Sequence, residues 1–168
     1  MDGEKRLTLH KKIMTQIGII APEISLYSSE NKEVSLKDYA GKNIVLLFFP
    51  LAFTSVCTAE LCGVRDDIAA YDALNAVVLG ISVDSPMVLA KFKSELNLNM
   101  TLLSDFNKEA STAYNSIYDN FVMNMKGVSK RAAFVIDNNG IIKYAEILEN
   151  AGEIPNLEAV KETLKNLK

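Results

Sequence analysis

A single histidine and two cysteines among 168 residues leave little with which to build a metal centre. A structural zinc site wants four ligands, and Cys57 and Cys62 with the distant His10 do not supply them, so no metal is expected; no organic cofactor is implied either. A large excess of charge of one sign is also lacking. Eighteen lysines and arginines stand against 21 acids, for a formal net charge of −3. A nucleic-acid partner requires a basic patch and a high pI, so none is expected. Long apolar runs are missing as well. The longest, Ile44 to Phe53, is interrupted by Pro50 and is too short to cross a bilayer, which takes ~20 residues. Residues 1–12 are charged throughout and lack the apolar stretch of a secretory signal. The expectation is a cytoplasmic protein without membrane association, in a compartment that keeps thiols reduced. Two cysteines there read as buried residues or reactive thiols more readily than as a structural staple.

There is no internal repeat, no low-complexity tract and no Pro/Gly/Ser-rich linker. About half of the residues are hydrophobic, and the length suffices for a core without disulfides or metals. The chain therefore reads as a charged extension over 1–14 followed by one domain over 15–168. Strand-like and helix-like segments alternate, which predicts an α/β fold. Short strands are expected at Ile24–Tyr27 and Glu33–Ser35, with a helical turn over Leu36–Tyr39. Asn43–Phe49 and Ala76–Val83 read as strands covered on both faces. Between them a helix is expected from about Val56 to Leu74, because Leu61, Val64, Ile68 and Tyr71 recur at helical spacing. Asp84-Ser85-Pro86 reads as a helix start with a polar cap and a first-turn proline. A short strand at Thr101–Leu103 and a helix over Asn107–Tyr114 follow. Ala132–Asp137 and Ile141–Ile147 form a hairpin around Asn138-Asn139-Gly140, whose residues tolerate positive φ. An amphipathic helix over Asn156–Leu167 closes the chain, with Leu157, Val160, Leu164 and Leu167 as its core stripe.

The informative stretch runs from Phe48 to Cys62. A buried strand ends at Pro50, a short loop follows, and Cys57 falls in the first turn of the next helix. That turn exposes unpaired N–H groups and the positive end of the helix dipole, and both favour a thiolate. The thiolate is the nucleophilic form of cysteine. The strand-to-helix position also brings the sulfur to the sheet edge where α/β folds bind ligands.

At this point the sequence resembles the peroxiredoxins. Their signature of Pro, three residues, Thr or Ser, two residues and Cys stands complete as Pro50, Thr54 and Cys57. The resemblance runs from about Ile17 to Leu167 through Ala21-Pro22, Gly80-Ile81-Ser82-Val83-Asp84, Leu103-Ser104-Asp105 and Arg131-Ala132-Ala133-Phe134. It is strongest to the one-cysteine E-type group and the bacterioferritin-comigratory, or Q-type, group. It implies a thioredoxin-like fold with a central mixed sheet flanked by helices. It also implies a thiol peroxidase acting on hydrogen peroxide or small organic hydroperoxides. In that scheme Cys57 attacks the peroxide and becomes a sulfenic acid. Thr54 hydrogen-bonds the thiolate and the incoming oxygen, Pro50 shields the sulfur, and Arg131 returns through the fold to favour the thiolate and the charge on the leaving oxygen. A thioredoxin-like or other thiol reductant and a homodimer are implied as partners.

The second cysteine leaves two readings open. E-type members usually lack a cysteine at the position of Cys62, whereas many Q-type members have one, which implies an intramolecular Cys57–Cys62 disulfide. Residues five apart on a wound helix have Cα atoms ~8–9 Å apart, beyond the ~7 Å limit of a disulfide, so the first turns would have to unwind. The other reading is a small packed residue of the helix. Thr54 can equally cap the helix. Glu60 is either a first-turn carboxylate held by the dipole or a member of the active-site network. Met123 and Met125 are either packing residues or the lining of a substrate or dimer surface. Two other functions fit less well: a thioredoxin-type dithiol oxidoreductase, which wants Cys-x-x-Cys, and a redox-sensing binding module.

Overall fold

Apolar strands that read as buried on both faces do form the middle of one sheet. The computed structural model describes residues 17–167. The strands are β1 (Ser25–Ser28), β2 (Glu33–Ser35), β3 (Asn43–Phe48), β4 (Ala76–Ser82), β5 (Thr101–Ser104), β6 (Arg131–Ile136) and β7 (Ile142–Leu148). They lie in the order β2-β1-β5-β4-β3-β6-β7. β3 pairs in parallel with β4, Phe48 opposite Ile81, and antiparallel with β6, Phe48 opposite Ala132. Among the described residues five α-helices flank the sheet: α1 (Ser55–Asp66), α2 (Ile68–Ala73), α3 (Pro86–Leu96), α4 (Glu109–Ala113) and α5 (Leu157–Lys165). This is the mixed α/β sheet with flanking helices that the resemblance implies. The expected extension over 1–14, His10 included, lies outside the described residues.

Strand alternation sorts the core onto two faces. Val45, Leu47 and Phe49 pack with Cys57, Leu61 and Val64 of α1, Leu89 and Phe92 of α3, and Val160 and Leu164 of α5. Leu46 and Phe48 face the opposite side, where Tyr114 and Phe134 close an aromatic cluster with Phe48. Among the described residues no helix is long and apolar enough to cross a membrane.

Three local expectations are altered. The helix expected from Val56 to Leu74 is two helices, broken at Asp67 (φ −109°, ψ 12°). There the chain tightens to a bond from the Asp67 N–H to the Val64 carbonyl, while the Asp67 carboxylate accepts from Lys161 of α5 at 2.6 Å. The helix start at 84–86 is capped by Ser85 alone, which accepts the Val88 N–H at 3.2 Å with Pro86 in the first turn; Asp84 turns back toward the sheet. The helix expected over Asn107–Tyr114 begins later, at Glu109, where Asp105 accepts the N–H groups of Ala110 and Ser111 at 3.0 and 2.7 Å. The hairpin forms as the sequence predicts. Gly140 has φ +81°, and Asp137 accepts the N–H groups of Asn139 and Ile141, each at 2.9 Å.

Candidate active site

Helix α1 explains why its cysteine is where it is. Cys57, Glu60, Leu61 and Val64 are its buried residues, and their spacing of three, four and seven is one helical face. The apolar Leu61 and Val64 anchor that face to the sheet, which carries Cys57 and Glu60 inward with them. Cys57 is the third residue of α1, within the turn whose N–H groups have no intrahelical partner.

Arg131 reaches the same place from the other side of β3. It sits one residue before Ala132, the partner of Phe48, and so at the end of β3 that leads into Pro50. It shares the parity of Ala133 and Val135, which face α1. Its guanidinium is buried, and each of its three nitrogens donates. Nη2 donates to Cys57 Sγ at 3.2 Å, and Nη1 donates to Glu60 Oε2 at 2.6 Å. Nη2 and Nε also donate to the Ala151 carbonyl at 2.8 and 3.2 Å, which ties the loop between β7 and α5 over the site.

Two buried titratable groups thus share one cation. Burial pushes the Glu60 carboxyl up to about 7, although the charge and hydrogen bond of Arg131 pull it down and Glu146 adds a smaller push upward. Its second oxygen, Oε1, is buried with no hydrogen-bond partner. Burial works against the Arg131 charge too, but Glu60 and Cys57 outweigh it and hold the guanidinium above its ordinary value.

The loop from Pro50 to Thr54 closes the front. Pro50 is buried at the end of the strand. Thr54 occupies the N-cap position of α1 in extended conformation, but its side chain makes no capping bond. Its hydroxyl instead donates to the Leu51 carbonyl at 2.7 Å. A hydroxyl has one proton to give, so in this arrangement Thr54 is free to accept and not to donate toward the sulfur. That differs from the thiolate bond the resemblance implies.

A cavity of about 290 Å³ opens at this loop. Thr54, Val56, Arg131 and Gly152 line it near the helix start, and Phe121, Val122, Met123 and Met125 form its apolar side. The cysteine itself is fully buried, at 0% exposure, beneath that lining. Cys62 lies further along α1, partly buried and packed against the same core cluster. The helix is wound continuously from Ser55 through Cys62, and both cysteines are free thiols.

Of the residues singled out in the sequence, the structure brings Cys57, Arg131 and Glu60 into contact, sets Pro50 and Thr54 in the loop beside them, and leaves Cys62 apart. Met123 and Met125 line the cavity. Sequence reasoning missed Ala151, which acts through its backbone and leaves no side-chain signal. It also misread Asp84 as part of a helix start; its carboxylate accepts the Ala52 N–H of the active-site loop.

A buried cysteine at a helix start, set against a guanidinium at the end of a sheet strand, is a setting that favours the thiolate, the reactive form in thiol-based redox chemistry. The model of the AhpC/TSA family matches residues 17–145. Alkyl hydroperoxide reductase E of Mycobacterium tuberculosis is 34% identical over 144 residues, covering 84% of this chain and 90% of that protein. A mitochondrial thioredoxin-dependent peroxide reductase of Mus musculus is 32% identical over 168 residues, and the chain spans 62% of its length. The crystal structure of peroxidoxin BcpB from M. tuberculosis superposes with a TM-score of 0.81, covering 91% of this chain and 98% of that one, and at 23% identity it shows the shared fold. The chain belongs to the AhpC/TSA family, the peroxiredoxins, and is a thiol-dependent peroxidase.

Proposed function

We propose that Cys57 is the residue that attacks the peroxide. The observation that carries this reading is the 3.2 Å contact between Arg131 Nη2 and Cys57 Sγ at the start of α1. The thiolate sulfur attacks one peroxide oxygen, the O–O bond breaks, and the leaving oxygen departs as water or alcohol after taking a proton. Cys57 is left as a sulfenic acid. Arg131 supports the negative charge first on sulfur and then on the leaving oxygen. Thr54, with its own proton held by Leu51, accepts the peroxide O–H and so orients the attacked oxygen. Pro50 excludes water from behind.

The substrates proposed are hydrogen peroxide and small organic hydroperoxides. The cavity supports both: Thr54 and Arg131 provide the polar end, and Phe121, Val122, Met123 and Met125 provide a wall for an alkyl group. In the second half of the cycle Cys62 attacks the Cys57 sulfenic acid, water leaves, and an intramolecular disulfide forms. The wound helix requires its first turns to open for this step, and helix starts open at low cost. A thioredoxin-like donor then reduces the disulfide, as the name of the mouse relative suggests for that protein. A homodimer in a reducing, cytoplasmic setting completes the proposal.

The test is steady-state peroxide consumption with thioredoxin, thioredoxin reductase and NADPH. Wild-type protein is expected to turn over many equivalents of peroxide, Cys57→Ser none, and Cys62→Ser less than a tenth of wild type with this donor. Turnover by Cys57→Ser at the wild-type rate would overturn the reading.

A further inference from the structure

Asp84 stands outside the reacting groups, yet more bonds converge on it than on any residue of the active-site loop. Its Oδ2 accepts the Ala52 N–H at 2.8 Å and the Ser82 hydroxyl at 2.7 Å. Its carbonyl accepts the Ser104 hydroxyl at 2.6 Å, and its own N–H donates to Ser82 Oγ at 3.2 Å. Ser82 is fully buried at the end of β4, and Ser104 ends the neighbouring strand β5. Asp84 is therefore fixed to two adjacent strands, its carboxylate by Ser82 of β4 and its main-chain carbonyl by Ser104 of β5, and the carboxylate reaches over the end of the third, β3, to hold the loop that follows.

What it holds is a loop under conformational strain. Phe53, the residue after Ala52, has φ +67°, the left-handed region that residues with a Cβ seldom adopt. Its ring is half exposed and packs edge-on against Phe92 at 5.1 Å, which is modest support for such a conformation. Strained backbone persists where its surroundings over-determine it, and such residues concentrate at functional sites. Phe53 directly precedes Thr54, so the left-handed turn decides where Thr54 sits and at what angle α1 begins.

We infer that Asp84 is a positioning residue for the peroxidase reaction: by gripping the Ala52 N–H it keeps Phe53 left-handed and thereby presets Thr54 and the Cys57 helix start for peroxide. This rests on the assignment of Cys57 and Thr54 proposed above. Asp84 touches neither the sulfur nor the cavity lining and acts only through the loop.

The experiment is the second-order rate constant for oxidation of reduced protein by hydrogen peroxide, measured by stopped-flow, alongside the rate of Cys57 alkylation by iodoacetamide. For Asp84→Ala the peroxide rate is expected to fall at least tenfold while alkylation quickens, because a loosened loop exposes the sulfur as it loses the peroxide geometry. Asp84→Asn, which keeps an acceptor for the Ala52 N–H, is expected within about threefold of wild type. Phe53→Asn introduced into Asp84→Ala is expected to regain most of the lost rate, since asparagine adopts positive φ readily. A general loss of packing would not be repaired by that second change.

A peroxide rate within twofold of wild type in Asp84→Ala would overturn the inference. Should Asp84→Ala not fold, Ser82→Ala carries the test: it removes one donor from Oδ2 and is expected to lower the rate about threefold, and an unchanged rate contradicts the inference. A wild-type protein whose Cys57 is not oxidised by peroxide would overturn the underlying assignment instead, before any Asp84 variant is compared.

Discussion

Arg131 and Cys57 are 74 positions apart in the chain and 3.2 Å apart in the fold, nitrogen to sulfur. The antiparallel pairing of β3 with β6 closes that distance, and the alternation of β6 turns the arginine toward α1. The guanidinium uses all three of its nitrogens, on Cys57, Glu60 and the Ala151 carbonyl. A lysine offers a single point charge and no such fork. Arg131→Lys is therefore expected to lower the rate constant for Cys57 oxidation by roughly 100-fold, the scale of losing one preorganised donor at a site of developing charge. Stopped-flow with hydrogen peroxide checks it.

Stability separates from activity at the same pair. Arg131→Met leaves the Glu60 carboxyl buried without its partner, which typically costs about 3–5 kcal/mol. Adding Glu60→Leu removes the stranded acid and is expected to return most of that stability while restoring none of the peroxidase activity. Denaturant unfolding of the single and double variants, with the rate measured on each, tests the separation.

Glu60 also predicts a pH dependence. Its folded-state value of about 7 lies above the ordinary 4.5, because burial outweighs the pull of Arg131. The native state thus holds this proton more tightly than the unfolded chain. The stability it contributes is complete below about pH 4.5 and is lost as pH rises through about 7, with a slope of at most about 1.4 kcal/mol per pH unit for one proton. Glu60→Gln carries no titrating group and is expected to lose this part of the slope. Unfolding free energies of both proteins at pH 5, 6, 7 and 8 provide the comparison, and parallel curves would contradict the assignment.

Much of this site is written locally, and that part is legible in the sequence. Pro50, Thr54 and Cys57 fall within eight residues, and the break from apolar run to helix places them without any knowledge of the rest. The apolar positions of α1 and α5 likewise announce their faces. What is not legible depends on partners distant in the chain. Periodicity continues through Asp67, so nothing local marks the break there; the bond from Lys161 of α5 belongs to tertiary structure. The Asp84-Ser85-Pro86 sequence satisfies a helix cap with either polar residue, and only the arrival of Ala52 beside β4 shows which one is taken. Arg131 reads as a charge before a strand until register and parity aim it inward. The resemblance implies its role ahead of any physical reason, and the register gives the reason for its place beside Cys57.

The sheet carries its own prediction at Gly80. A Cβ there would meet Leu102 Cδ2 at 2.7 Å, with Phe49 next at 3.5 Å. This glycine exists for close approach in the core beneath α1. Gly80→Ala forces the leucine to shift and is expected to cost about 1–3 kcal/mol, the usual range for overpacking. Denaturant unfolding measures it.

The central claim is that Cys57 reacts with peroxide and that Cys62 resolves it within the same chain. Intact mass under denaturing, non-reducing conditions tests this most directly, after reduced protein meets a slight excess of hydrogen peroxide. The account predicts that wild type loses two hydrogens in a single chain, that Cys62→Ser gains oxygen, and that Cys57→Ser is unchanged. A wild-type mass that gains oxygen without losing hydrogen would contradict the resolving role of Cys62. A wild-type mass that does not change at all would contradict the account of Cys57 itself.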